Sequence, residues 1–103
     1  MEGIVYNVTV KVDTHIAHEW LDWMLNVHIP EVMQTGCFTR YQFLKLLDQD
    51  ENDEPTYVVQ YYAASIEKYQ QYLSNHVPSL RKEIVKKWGD QIVSFRTVME
   101  VLN

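Results

Sequence analysis

The chain has 103 residues, 47% of them hydrophobic and 22% charged, which suits one globular domain with a modest core and excludes a disordered segment. Nine Lys and Arg against 14 Asp and Glu leave a net charge of −5, so a nucleic-acid backbone is not expected as a partner. No apolar run approaches the roughly 20 residues of a membrane span, the Met-Glu-Gly-Ile start lacks a basic segment and a secretory apolar core, and the single Cys fits a reducing cytoplasm.

Taken in order, Ile4, Tyr6, Val8, Val10 and Val12 alternate with Val5, Asn7, Thr9 and Lys11, the pattern of a strand with one apolar face. Asp13 or Thr14 can cap a helix whose apolar stripe is Ile16, Trp20, Trp23, Met24 and Val27. Pro30 lacks an N–H and disfavours α geometry at Ile29, which predicts a break or kink near His28 and Ile29. A short segment then starts at Pro30, carries Glu31 in its first turn and ends at Gly36. Phe38 to Leu47 reads as a second strand, residues 48–55 as a polar turn, and Thr56 to Ala63 as a third strand closing a hairpin. Ser65 can cap the next helix, with Ile66, Tyr69 and Leu73 as its stripe. Val77 and Pro78 interrupt it, Leu80, Ile84 and Trp88 continue it, and Gly89 closes it. Ile92 to Leu102 is the fourth strand, with Val93, Phe95, Met99 and Val101 on one face and Ile92, Ser94, Arg96, Val98, Glu100 and Leu102 on the other.

This order, β-α-β-β-α-β over residues 1–103 as a single domain, predicts an α+β, ferredoxin-like fold: a four-stranded antiparallel sheet with the helices on one face. The other face is then bare. It is expected to present apolar and aromatic side chains beside Arg96, Glu100 and either Gln60 or Gln42, more apolar area than a soluble monomer leaves open. The simplest cover is a second copy, giving a homodimeric α+β barrel.

The candidate site residues follow from chemistry and parity. His28, at the edge of the Trp20–Met24 stripe just before Pro30, can serve as a proton shuttle or polar anchor, or can be a structural His bonded at a helix end. Arg96 and Glu100 share one strand face, and Gln60 and Tyr62 another. If those faces coincide, they make the composition of a small-molecule pocket; otherwise Arg96 and Glu100 neutralise each other in an interface. The candidate ligand-binding set is therefore His28, Gln60, Tyr62, Arg96 and Glu100, with His28 and Arg96 the candidate catalytic pair. No metal or cofactor is expected. His15, His18 and Glu19 lack the spacing of a zinc protease, and the acidic run 48–54 lacks the Gly and the bidentate Glu of a calcium loop. Cys37, between Gly36 and Phe38, reads as a small buried hydrophobe more readily than as a nucleophile paired with His28.

Trp-Leu-Asp-Trp-Met at 20–24, His-Ile-Pro-Glu-Val at 28–32, Thr-Gly-Cys-Phe at 35–38, Val-Gln-Tyr-Tyr-Ala at 59–63 and Phe-Arg-Thr-Val-Met-Glu-Val at 95–101 resemble the bacterial domain-of-unknown-function family 4286, from Ile4 to Leu102. The resemblance implies a small cytoplasmic protein without an assigned activity. The architecture also looks like the dimeric α+β barrels, which include antibiotic-biosynthesis-type monooxygenases, stress-response proteins and simple binding modules; a fold does not by itself give a function. Three readings stay open: a homodimeric module that binds a small, partly apolar ligand or serves as an interaction module, a cofactor-independent monooxygenase- or isomerase-type enzyme, and a purely structural dimer. An enzyme should show a closed cavity with His28 or Arg96 pointing into it, a binding module needs the cavity only, and a structural dimer needs neither.

Overall fold

The computed structural model describes residues 3–50 and 52–103. The expectations resting on Met1, Glu2 and Glu51 lie outside the described residues. Four strands, β1 (Ile4–Val12), β2 (Arg40–Lys45), β3 (Thr56–Ala63) and β4 (Ile92–Glu100), form one sheet in the order β2-β3-β1-β4. Every neighbouring pair is antiparallel. With the helices α1 (Ala17–Trp23), α2 (Ile29–Gln34), α3 (Ile66–Asn75) and α4 (Val77–Trp88), this is the expected split-βαβ, ferredoxin-like arrangement. β1 and β3 keep their predicted limits; β2 and β4 are shorter than predicted, because Phe38 turns into the core and the pairing past Glu100 ends after the bond from the Val101 N–H to the Gly3 carbonyl.

Local chemistry places the helix starts as the sequence implies. Asp13 accepts a bond from the His15 N–H and opens a 3₁₀ turn, and Ser65 accepts one from the Lys68 N–H to open α3. Pro78 sits in the first turn of α4, where its missing N–H costs nothing. Gly36 and Gly89 take positive φ of 75° and 56°, as a helix stop requires.

The first helical layer differs from the expected break. The chain stays helical from α1 into α2 through one π segment, Met24–His28, in which the Ile29 N–H bonds the Met24 carbonyl. The wider turn makes room for the Pro30 ring, which in an α-helix would strike the carbonyl four residues before it. Ile29 keeps α geometry at φ −60°, ψ −44°. The Asn26 side chain bonds the Asp22 carbonyl at 2.9 Å.

The core lies between sheet and helices. Even-numbered residues of β1 face it, with Val12 and Val10 almost fully buried, together with Tyr57, Val59, Tyr61 and Ala63 of β3. Trp20, 1% exposed, wedges between Phe43 and Tyr57, with ring centroids 5.9 and 5.2 Å away. Tyr6 stands at the centre of a second aromatic cluster with Phe38, Tyr61, Tyr69 and Tyr72.

Candidate functional site

The sheet register decides which candidates meet. In β1–β4 pairing Arg96 lies opposite Val8 and Glu100 opposite Ile4. Val8 and Ile4 are on the helix-facing side, so Arg96 and Glu100 are there too. Asn7 pairs with Gln60 and Val5 with Tyr62, which puts Gln60 and Tyr62 on the open side. The expected coincidence of these faces is therefore corrected: the sheet separates Arg96 and Glu100 from Gln60 and Tyr62. Arg96 and Glu100 are likewise absent from the bare face on which they were expected.

What the helix side holds is a slot lined by Arg96, His28, Trp23, Trp20, Ser94 and Arg81 among mainly apolar neighbours from β1, β3 and α4. Out to its mouth it measures about 530 Å³, of which about 40 Å³ admits a water-sized sphere. It is narrow, since a water alone needs roughly 10–15 Å³. A larger hollow beside the 46–55 turn, about 990 Å³ out to its mouth, is open and edged by both polar side chains and the exposed Leu46 and Leu47. Glu100 stands at the far end of β4 and does not line the slot; neither does Cys37, which is buried with its thiol 3.8 Å from the Thr35 carbonyl.

His28 reaches the slot because of the π turn. In an α-helix, residues five apart point about 140° away from each other. Here Trp23 and His28, five apart, stack with centroids 4.9 Å apart and planes 18° from parallel. Trp88 packs edge-to-face with Trp23, centroids 5.6 Å apart. The imidazole is 8% exposed, and its Nδ1 is buried without a hydrogen-bond partner. The expected bond to a helix-end carbonyl is not made, because the ring lies flat on the indole. Burial pulls its pKa from 6.5 down to about 4, opposed by the Glu83 carboxylate and assisted by Arg96. His28 is thus a neutral ring at pH 7.

Arg96 is tied by its Nε–H to the Tyr6 hydroxyl at 3.2 Å. Tyr61, 2% exposed, also lines the slot, and its hydroxyl is a second buried polar atom without a partner. Burial, with the neighbouring Tyr72 and Tyr6 phenols, pushes its pKa far up, so it stays a neutral donor. Sequence reading missed Tyr61, Ser94 and Arg81 as slot residues. For Tyr61 the signal was present, since it shares a face with Tyr57 and Val59; Arg81 sits beside the Leu80–Ile84 stripe and reads as solvent-facing.

On the open side the register builds rows across the sheet. One is polar: Gln42, Gln60, Asn7 and Thr97. Gln60 donates to Asn7 at 3.2 Å and accepts from the Tyr62 hydroxyl at 3.0 Å. Flanking rows carry Leu44, Val58 and Phe95 on one side and Val5 and Met99 on the other, with the Arg40 guanidinium 3.7 Å over the Tyr62 ring. Among the described residues, no group of His, Cys, Asp and Glu is arranged to hold a metal ion, and no helix is long and apolar enough to cross a membrane.

Solved structures of the same fold show low sequence identity to the chain. A protein of unknown function from Nitrosomonas europaea superimposes with a TM-score of 0.73 at 14% identity, covering 100% of this chain and 92% of the other. A monooxygenase of Streptomyces coelicolor, the ActVA-Orf6 product in complex with nanaomycin D, gives 0.69 at 16%, covering 99% and 89%. A dimeric ferredoxin-like protein from an uncultured marine organism gives 0.62 at 7%, covering 100% and 98%. None of the curated proteins matches the chain in sequence. Residues 3–102 match the domain of unknown function DUF4286, and the chain belongs to that family.

Proposed function

We propose that the protein is a homodimeric small-molecule binding module whose ligand enters the slot between the sheet and the helices. The observation that carries this reading is the pair of buried, unpartnered polar atoms, His28 Nδ1 and Tyr61 Oη, in a slot otherwise mainly apolar. Leaving such an atom unbonded costs about 1–3 kcal/mol, and a few orienting polar groups among apolar walls are what a ligand site needs. A molecule that fits only the parent slot should raise its stability by about 2.7 kcal/mol at a hundredfold excess over its Kd. The test is thermal unfolding against a panel of small planar and aliphatic compounds, run on the parent and on Ser94→Phe, which fills the slot. Compounds that raise the parent's Tm and leave the variant's unchanged support the reading; a panel that shifts both alike, or neither, contradicts it.

In this reading the second copy covers the open sheet face, not the slot. Phe95 is 63% exposed there and Val93 and Met99 are exposed beside it, while the central amide row would specify register across a two-fold. The dimeric ferredoxin-like neighbour supports self-association in this fold. Sedimentation equilibrium should give close to twice the monomer's 12.3 kDa, and Phe95→Glu should halve it. A parent mass near the monomer's at micromolar concentration contradicts the dimer.

A second reading, a monooxygenase- or isomerase-type enzyme, is favoured by one feature: His28 and Arg96 line the same slot. Arg96 would stabilise a developing anion and His28 would take its proton. The monooxygenase neighbour, solved with a ligand, is consistent with it. A ring with a pKa of about 4 is a weak base at neutral pH, however, since a general base works best near the operating pH. Binding therefore stands ahead of catalysis.

A further inference from the structure

We propose that the slot's ligand is a planar organic monoanion, an aromatic or conjugated carboxylate, with its charge held by Arg81 and Arg96 at the mouth. This rests on the slot being a ligand site. Arg81 comes from α4 and Arg96 from β4, so two separate elements bring a guanidinium to one opening. Among the described residues neither has a carboxylate within 4.0 Å; the one ion pair there is His18 with Asp22 at 3.8 Å. In a chain with 14 acidic side chains and nine basic ones, two cations converging on an apolar slot without an acid between them match an anionic ligand.

Arg96 is also set in place for it. Its Nε–H is spent on Tyr6, which orients the guanidinium and leaves its other N–H groups for a planar, two-oxygen acceptor. Burial raises the pKa of Tyr72, another lining residue, and the Arg96 and Arg81 charges oppose that rise. The small free volume, about 40 Å³, and the stacked Trp23 and His28 rings in its wall suit a small flat group better than a branched chain. One charge fits better than two: among the described lining residues Arg81 and Arg96 alone are charged, and the deeper part of the slot, with its neutral His28 ring, offers no cation to a second anionic group. At that depth the unpartnered Tyr61 hydroxyl and His28 Nδ1 suit a neutral polar substituent.

The experiment is isothermal titration of the full chain at pH 7 with 2-naphthoate and with its uncharged match, 2-naphthamide. The parent should prefer the acid at least tenfold. Arg81→Gln, on an exposed helix position, should fold normally and reduce that preference to about twofold or less, and Arg96→Gln should do the same. Acid and amide binding equally to the parent, or a preference that survives in Arg81→Gln, overturns the anion while leaving the slot as a ligand site. Failure of both compounds to bind overturns the anion and the slot together.

Discussion

Trp20→Ala is expected to lower the free energy of unfolding by about 3–5 kcal/mol, the range for truncating a large aromatic in a core. Trp20 is among the least exposed large side chains, and it packs edge-on against Phe43 of β2 and tilted against Tyr57 of β3. It therefore ties the first helical layer to the sheet edge farthest from β4. The surrounding rings are large and stiff, so the cavity should close only in part. Urea unfolding measures the loss. A value below about 1 kcal/mol would mean that the indole contributes no more than a surface contact.

The second large effect is acid sensitivity at His28. Its native pKa is about 4 against an ordinary value of 6.5. Above pH 6.5 the ring is neutral folded and unfolded, and its titration adds nothing. Between 6.5 and 4 the unfolded chain takes up a proton that the buried ring refuses, so stability falls as pH falls and the loss is complete below the native pKa. From pH 7 to pH 4.5 this amounts to about 2–3 kcal/mol. Burial, with the neighbouring Glu83 carboxylate, raises the pKa of Glu31, which acts with the opposite sign; both carboxyl groups are present with and without the imidazole, so the comparison of the two proteins isolates His28. Unfolding midpoints of the parent and of His28→Gln at the two pH values should differ by that amount in their acid loss. Equal losses would mean that the imidazole is solvated when folded.

The fold was legible because its signals are local. The alternation from Ile4 to Val12 set one sheet face, Ser65 and Gly89 set helix ends, and the order of elements left one arrangement. The site was less legible because it depends on which strand residue stands opposite which. Parity correctly paired Arg96 with Glu100 and Gln60 with Tyr62, but only the Val8–Arg96 and Asn7–Gln60 register shows that the two pairs lie on opposite faces. β4 offered little guidance, since it is an edge strand with apolar residues at both parities: Val93, Phe95 and Met99 on the open side and Ile92 and Val98 on the helix side. His28 was found from its place before Pro30, yet the expected kink is a π turn. One added residue in that turn is invisible to a periodicity read at 3.6 residues, and it is what stacks His28 on Trp23 and leaves Nδ1 facing no protein partner.

The central claim is that the ligand site lies between sheet and helices and that the open sheet face is kept for self-association. Titrating the ¹⁵N-labelled protein with 2-naphthoate and mapping the amide and indole shifts tests it most directly. Shifts should gather at His28, Arg81, Ser94, Arg96 and the Trp23 indole, with Gln60 and Tyr62 still. Shifts gathered instead at Asn7, Gln60, Tyr62 and Phe95, with the slot residues silent, would contradict it.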